Sequence, residues 1–231
     1  RVAVNRFWQQ IFGVGLVKTS EDLGAQGEWP SHPELLDELA VTFMETGWDV
    51  KKLFRSIVLS RTYKQSSDAD PKAYKKDPEN RQLARASRYR LDAEVIRDQI
   101  LAVSGQLNNT MYGKSVRPPQ PPGLWEMVNM VANRPYVPDS DDNIYRRSLY
   151  TFWRRAIPPP QMTIMNAPSR EFCLPRRERT NTSLQALLMM NEEEYFKAAK
   201  TCAKQTLEET DGLESRLCLT YEKITSHLPA K

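Results

Sequence analysis

Histidine is almost absent. The 231 residues hold two, His32 and His227, and neither sits in a supporting motif. A serine triad therefore has no base to draw on, and a zinc site has no imidazole pair. Cysteine is also sparse. Cys173, Cys202 and Cys218 form no C-x-x-C and no haem-attachment pair, and an odd count leaves at least one thiol free. All three read as small buried hydrophobes. The nine glycines are few, which agrees with few tight hairpins. No G-x-S-x-G elbow is present. Gly113-Lys114-Ser115 invites a phosphate-loop reading, but the pattern needs glycine where Asn108 stands, and a helix precedes it rather than a strand. No run of about 18 apolar residues offers a membrane span. The chain starts RVAVNRFWQQ, without an initiator Met or a signal pattern. It reads as a piece of something longer, with any targeting signal upstream.

What is present is a soluble globular composition, 40% hydrophobic and 27% charged. At this length roughly 70% of the unfolded surface is buried on folding, enough for a core without staples. The charge is unevenly spread. Between Ile144 and Arg179 stand eight arginines, no lysine and two glutamates, a net of +6, so the remainder of this +4 chain carries −2. A basic segment in a slightly acidic protein suggests an anionic partner or an internal acidic counterpart.

Helical periodicity dominates, with no internal repeat and no alternating strand series. Val4, Trp8 and Ile11 share a face, and Gly13 can end that helix in the left-handed region. Ser31 and Glu34 have capping-box spacing around Pro33, ahead of a stripe of Leu35, Leu36, Leu39, Phe43 and Met44. Asp49 is placed to cap a third helix, carrying Leu53, Phe54, Ile57 and Val58. Residues 65–82 are polar with two Asp-Pro steps, a loop or surface linker. Asp92 is placed to cap a helix striped by Ile96, Ile100, Val103 and Leu107, with Leu91 and Ile96 spaced as a hydrophobic staple. Residues 108–143 are Pro-rich and predict an extended path laid over other elements, anchored by Trp125. Tyr145, Leu149, Phe152 and Trp153 have helical spacing, although the same stretch has strand propensity. Thr182 and Gln185 form a second capping-box pattern; Asn191 opens a further helix, with Tyr195, Ala199 and Cys202 inward. The expected fold is mainly α: a multi-helix domain over residues 1–231 with a long Pro-rich extended segment wrapped over it. A sub-division into 1–64 and 88–231, around a polar linker at 65–87, stands open beside the single domain.

The candidate site residues are arginines and carboxylates. Arg146, Arg147, Arg170, Arg176, Arg177 and Arg179 can bind an anionic ligand through their forked donors. Alternatively they form a clasp, pairing with Glu171, Glu178 or acids elsewhere such as Asp22, and satisfying loop carbonyls. Glu171 and Glu178 are the weak candidates for catalysis as general acid or base. No metal-ligand set and no cofactor motif is read in this chain. RRSLYTFWRR mixes aromatics with arginines as single-strand binders do, but a net charge of +4 argues against nucleic acid.

The quoted N-terminal stretch through SEDLGAQGEWPSHPELLDELA resembles the start of the domain of unknown function 1553 family. So do LDAEVIRDQILAVSGQL, SVRPPQPPGLWE, YRRSLYTFWRRAIPPP and APSREFCLPRRERTNTSLQALLMMN. The resemblance runs from Arg1 to about Ala203. It implies the C-terminal domain of long, exported planctomycete proteins, periplasmic or on the cell surface, that often carry a cytochrome c domain near the front. Haem would then lie in an upstream domain, and partners would include other domains of the parent protein. Neighbouring sulfatase genes imply sulfated or otherwise anionic polysaccharide. The family supplies no catalytic residues to carry over. Where it often has Asp-Pro opening the helix after Leu-Leu-x-x-Asn, this chain has Glu192-Glu193; both suit a first turn. Three readings stand open: a non-catalytic binding or docking module, an enzyme domain acting on anionic polysaccharide, and a platform for the parent's cytochrome domain.

Overall fold

A computed structural model describes residues 1–68, 70–125 and 135–229. The protein is mainly α. Among the described residues there are nine α-helices, and β pairing is limited to isolated bridges. None of these helices is long and apolar enough to cross a membrane. The chain divides into two compact units. The first comprises Arg1–Arg90 with Leu174–Arg176, the second Leu91–Cys173 with Arg177–Lys231.

The first unit holds α1 (Val2–Phe12), α2 (Pro33–Glu45), α3 (Val50–Leu59) and α4 (Pro71–Lys76). Its core joins Val4, Trp8 and Phe12 of α1 to Leu36, Ala40 and Phe43 of α2 and Leu53 and Ile57 of α3. Trp8 stacks on Phe12 at 4.2 Å, and Phe7 meets Phe54 edge-on at 5.3 Å. Such ring pairs add roughly 0.5–1.5 kcal/mol each beyond their buried area. Gly13, at φ 84°, ends α1 as its spacing predicts. Asp49 caps α3 by accepting from the Lys52 amide at 3.0 Å. The Ser31–Glu34 capping box does not form. His32 occupies the N-cap without a side-chain bond, and the Ser31 amide is already committed to the Leu16 carbonyl at 2.9 Å, closing the preceding loop. Met44, expected in the α2 stripe, is exposed.

Segment 65–87 carries α4 and is tied down by polar contacts. Gln65 donates to the Leu83 carbonyl at 2.9 Å, and the Arg81 fork donates to the carbonyls of Gly15 and Leu16 at 2.8 and 3.0 Å.

The second unit holds α5 (Ala93–Val103), α6 (Pro160–Ile164), α7 (Ser183–Asn191), α8 (Glu193–Glu209) and α9 (Leu213–Thr225). α8 packs on α5, α7 and α9. Thr182 and Gln185 form a complete capping box on α7. Asn191 ends α7 rather than opening α8, whose N-cap is Glu192. α8 buries Tyr195, Ala198, Cys202 and Thr206, so Ala199 lies on its outer side. Of the cysteines only Cys202 is buried; Cys218 is half-buried and Cys173 exposed, and all three thiols are free.

The Pro-rich segment is extended, as composition predicts; its residues 126–134 lie outside the described ones. Val116 exchanges backbone bonds with Tyr150 and Phe152 at 2.8 and 2.7 Å. Trp125 anchors the path: it is buried, stacks on Tyr136 at 4.8 Å, and donates to Gln120 at 2.6 Å. The expected helix over 145–153 is absent. Two short 3-10 turns, Asp142–Tyr145 and Ser148–Tyr150, stand there instead. The reason is that the Arg97 side chain takes the Ile144 and Arg146 carbonyls and the Val116 amide takes the Tyr150 carbonyl, while Asp98 takes the Ser148 amide at 2.7 Å.

Candidate functional site

The polar centre of the second unit is Arg97, which no motif announced. It lies on the inner face of α5 with Ala93 and Leu101, where the sequence stripe had placed Ile96 and Ile100. Its side chain has no solvent exposure. All five guanidinium protons find acceptors. Nε and Nη2 grip both carboxylate oxygens of Glu194 at 2.8 and 2.5 Å. Nη1 donates to the Arg146 carbonyl at 3.0 Å and to Ser148 Oγ at 3.2 Å, and Nη2 to the Ile144 carbonyl at 2.8 Å. Burying a guanidinium is costly unless every donor is met in this way.

Arg146 is buried next to it. Its guanidinium lies 3.9 Å from the Tyr150 ring centroid and donates to the carbonyls of Thr110, Tyr112 and Lys114, at 2.9 Å for Thr110 and 3.2 Å for Lys114. Arg147 is half-exposed, with Nε 3.7 Å from Asp98.

Around the start of α5 the donors are Arg177 and Arg179. Arg177 pairs bidentately with Glu94 at 2.6 and 3.2 Å, and its Nη1 lies 3.5 Å from Asp92. Burial alone would lower the Arg177 pKa; the hydrogen bond and charge of Glu94, together with Asp92, outweigh it and raise it. Arg179 lies 3.9 Å from Asp92. Asp92 is the N-cap of α5, as its spacing predicts, but its side chain makes no cap bond; these arginines claim the carboxylate instead. Arg170, at φ 64°, places its guanidinium 4.3 Å from the Trp153 ring centroid.

Arg176 belongs to the first unit, where it lies 3.7 Å from Glu21 with both side chains half in solvent. Asp22, the acid singled out from the sequence, accepts from the Gly24 amide at 2.8 Å. Glu171 and Glu178 are exposed, and among the described residues neither enters an ion pair. The arginines thus find their acids on α5, α8 and the first-unit loop, not beside them in sequence.

One small cavity lies in the first unit, lined by Trp8, Phe12, Leu16, Asn80, Arg81 and Ser87 among others. At about 20 Å³ it has room for one water, far below a small-molecule site. Among the described residues no group of three or more His, Cys, Asp or Glu is placed to hold a metal ion.

No curated protein and no solved structure matches the chain. The model of the family described as Protein of unknown function (DUF1553) matches residues 1–231, and the chain belongs to that family.

Proposed function

We propose that the chain is a non-catalytic binding or docking module of a larger exported protein, and that its arginine-rich segment is an internal clasp. The carrying observation is how the guanidinium donors are used. Arg146 is engaged by three loop carbonyls and Arg177 by Glu94 and Asp92. An anionic ligand would have to displace carboxylates already held at short range, which removes the gain it would bring. Glu171 and Glu178 support no acid–base role, since each stands exposed, outside a cleft that would exclude water. Export and the parent protein are implied by the family resemblance, and other domains of that parent are the partners this reading expects.

The test is a melting curve with and without a sulfated polysaccharide, a neutral glycan as control, at low salt and at about 0.15 M, where exposed charges are screened beyond ~8 Å. The clasp reading expects no sulfate-specific shift at the higher salt. A shift that survives there, near the roughly 2.7 kcal/mol given by ligand at 100 times its Kd, would make the segment a ligand site. Release of reducing ends or free sulfate, lost in Glu171→Gln or Glu178→Gln, would make it an enzyme.

A further inference from the structure

Loop 110–114 reads TMYGK. Its backbone is held from below. Buried Arg146 gathers the carbonyls of Thr110, Tyr112 and Lys114, and the Tyr112 amide donates to the Tyr150 hydroxyl at 2.8 Å. Arg146 is fixed in turn through its own carbonyl by Arg97. The Tyr150 hydroxyl also donates to the Met111 sulfur at 3.8 Å, while much of the loop's side-chain surface faces solvent. Tyr112 is 81% exposed and Met111 51% exposed. Lys114 is exposed and enters no ion pair among the described residues.

Tyr112 is also strained. Its φ of 66° lies in the left-handed region, which disfavours a residue with a bulky side chain. Trp48, at φ 62°, shares the strain, but its ring returns something to the fold by meeting Phe43 edge-on at 5.2 Å. The Tyr112 ring makes no hydrogen bond or ring contact among the described residues. Its conformation costs stability, and among the described residues no hydrogen bond or ring contact of its side chain offsets that cost. Strain held in place by buried supports marks residues kept for contact with something else.

We propose that residues 110–114 form a preformed docking loop for a partner protein whose surface offers an apolar pocket rimmed by a carboxylate. This deepens the docking reading above and rests on it. Tyr112 is the anchor, of the residue type enriched in binding hot spots. Met111 beside it supplies an adaptable apolar contact, which suits a protein pocket better than the hydroxyl-rich face of a sugar. Lys114 supplies the rim charge that selects an acidic partner. Because the backbone is already fixed, little freedom is lost on binding.

The probe is a displayed random 12-residue peptide library selected on the full chain. The comparison variant is Tyr112→Asn, since asparagine is at ease at positive φ and lacks the ring. Enriched peptides should combine several apolar side chains, able to fold around the Tyr112 ring, with Asp or Glu. Their binding should fall at least about tenfold in Tyr112→Asn, as for a hot-spot side chain. Lys114→Gln should weaken binding and flatten its salt dependence. Tyr112→Asn should melt at or above the wild-type temperature. Absence of enrichment, binding unaffected by Tyr112→Asn, or binding lost only together with the melting temperature would each overturn the proposal. So would capture of a glycan from an array that depends on Tyr112, which would give the loop to carbohydrate. The two readings fail separately: a sulfate-specific melting shift sinks the clasp but leaves peptide binding by a Tyr112-dependent loop unaffected.

Discussion

Arg97 and Glu194 hold each other bidentately across α5 and α8, one side chain fully buried and the other 13% exposed. Removing one partner of a buried pair strands the other charge, at a cost of about 3–5 kcal/mol. Glu194→Gln should lose stability in that range, read from the urea midpoint at unchanged slope. Arg97→Met should lose more, because it also orphans the carbonyls of Ile144 and Arg146 and the Ser148 hydroxyl. Equal losses would mean those acceptors find other donors.

Arg177 is a milder case. Its side chain is a third exposed, so solvent screens much of the pairing with Glu94 and Asp92. Arg177→Ala should cost about 1 kcal/mol, and Arg177→Lys nearly as much, since an ammonium cannot match the carboxylate fork. High salt should shrink the Arg177→Ala difference. A salt-independent loss of several kcal/mol would show the pair to be effectively dry.

Glu192 caps α8 without a side-chain cap bond, and its pKa is raised above the ordinary 4.5 by burial and then by Glu194 and Glu193. A group with a raised folded pKa favours folding below its unfolded pKa and loses that contribution as pH climbs through the folded one. Glu192→Gln should therefore stabilise the protein at neutral pH, by about 0.5 kcal/mol for this half-buried group. The gain should shrink as pH falls towards 4.5 and vanish below it. Thermal melts of both proteins across that window read it; a gain that persists in acid would contradict the assignment.

Gly27 closes the loop ahead of α2 at very short range. A Cβ there would sit 2.2 Å from the Asp22 carbonyl oxygen, which is backbone and cannot swing away. Gly27→Ala should cost about 1–3 kcal/mol, as overpacking does. Gly24→Ala is the control, because its Cβ would meet only the Asp22 side chain, at 3.2 Å. Chemical denaturation of the two variants side by side gives the contrast.

Much of the helical frame was legible locally. Gly13, Asp49 and the Thr182–Gln185 box act within a turn of themselves, so sequence spacing carries their whole interaction. The polar centre was not legible, because an arginine in a helical stripe reads as outward-facing. The signal that could have found Arg97 is its i, i+4, i+8 spacing with Ala93 and Leu101, a better-formed buried face than that of Ile96 and Ile100. Its acid, Glu194, is remote in sequence, and no local pattern points across that gap. The same long-range competition explains Tyr145–Trp153. Its apolar spacing is helical, but carbonyls a helix would need are claimed by Arg97 and by Val116. Asp92 shows both sides at once: its spacing marks the start of α5, while its carboxylate serves Arg177 and Arg179.

The first unit is assembled from two separated stretches of chain, Arg1–Arg90 and Leu174–Arg176. On the ribosome, its last three residues are made only after the whole of the second unit's first stretch, Leu91–Cys173. At usual synthesis rates that interval is roughly 4–17 s. For that time the nascent first unit holds its aromatic core but lacks Arg176 opposite Glu21. A gene fragment ending at Arg90 would make this intermediate permanent, so halves of this protein cut at that point are unequal to the units of the whole.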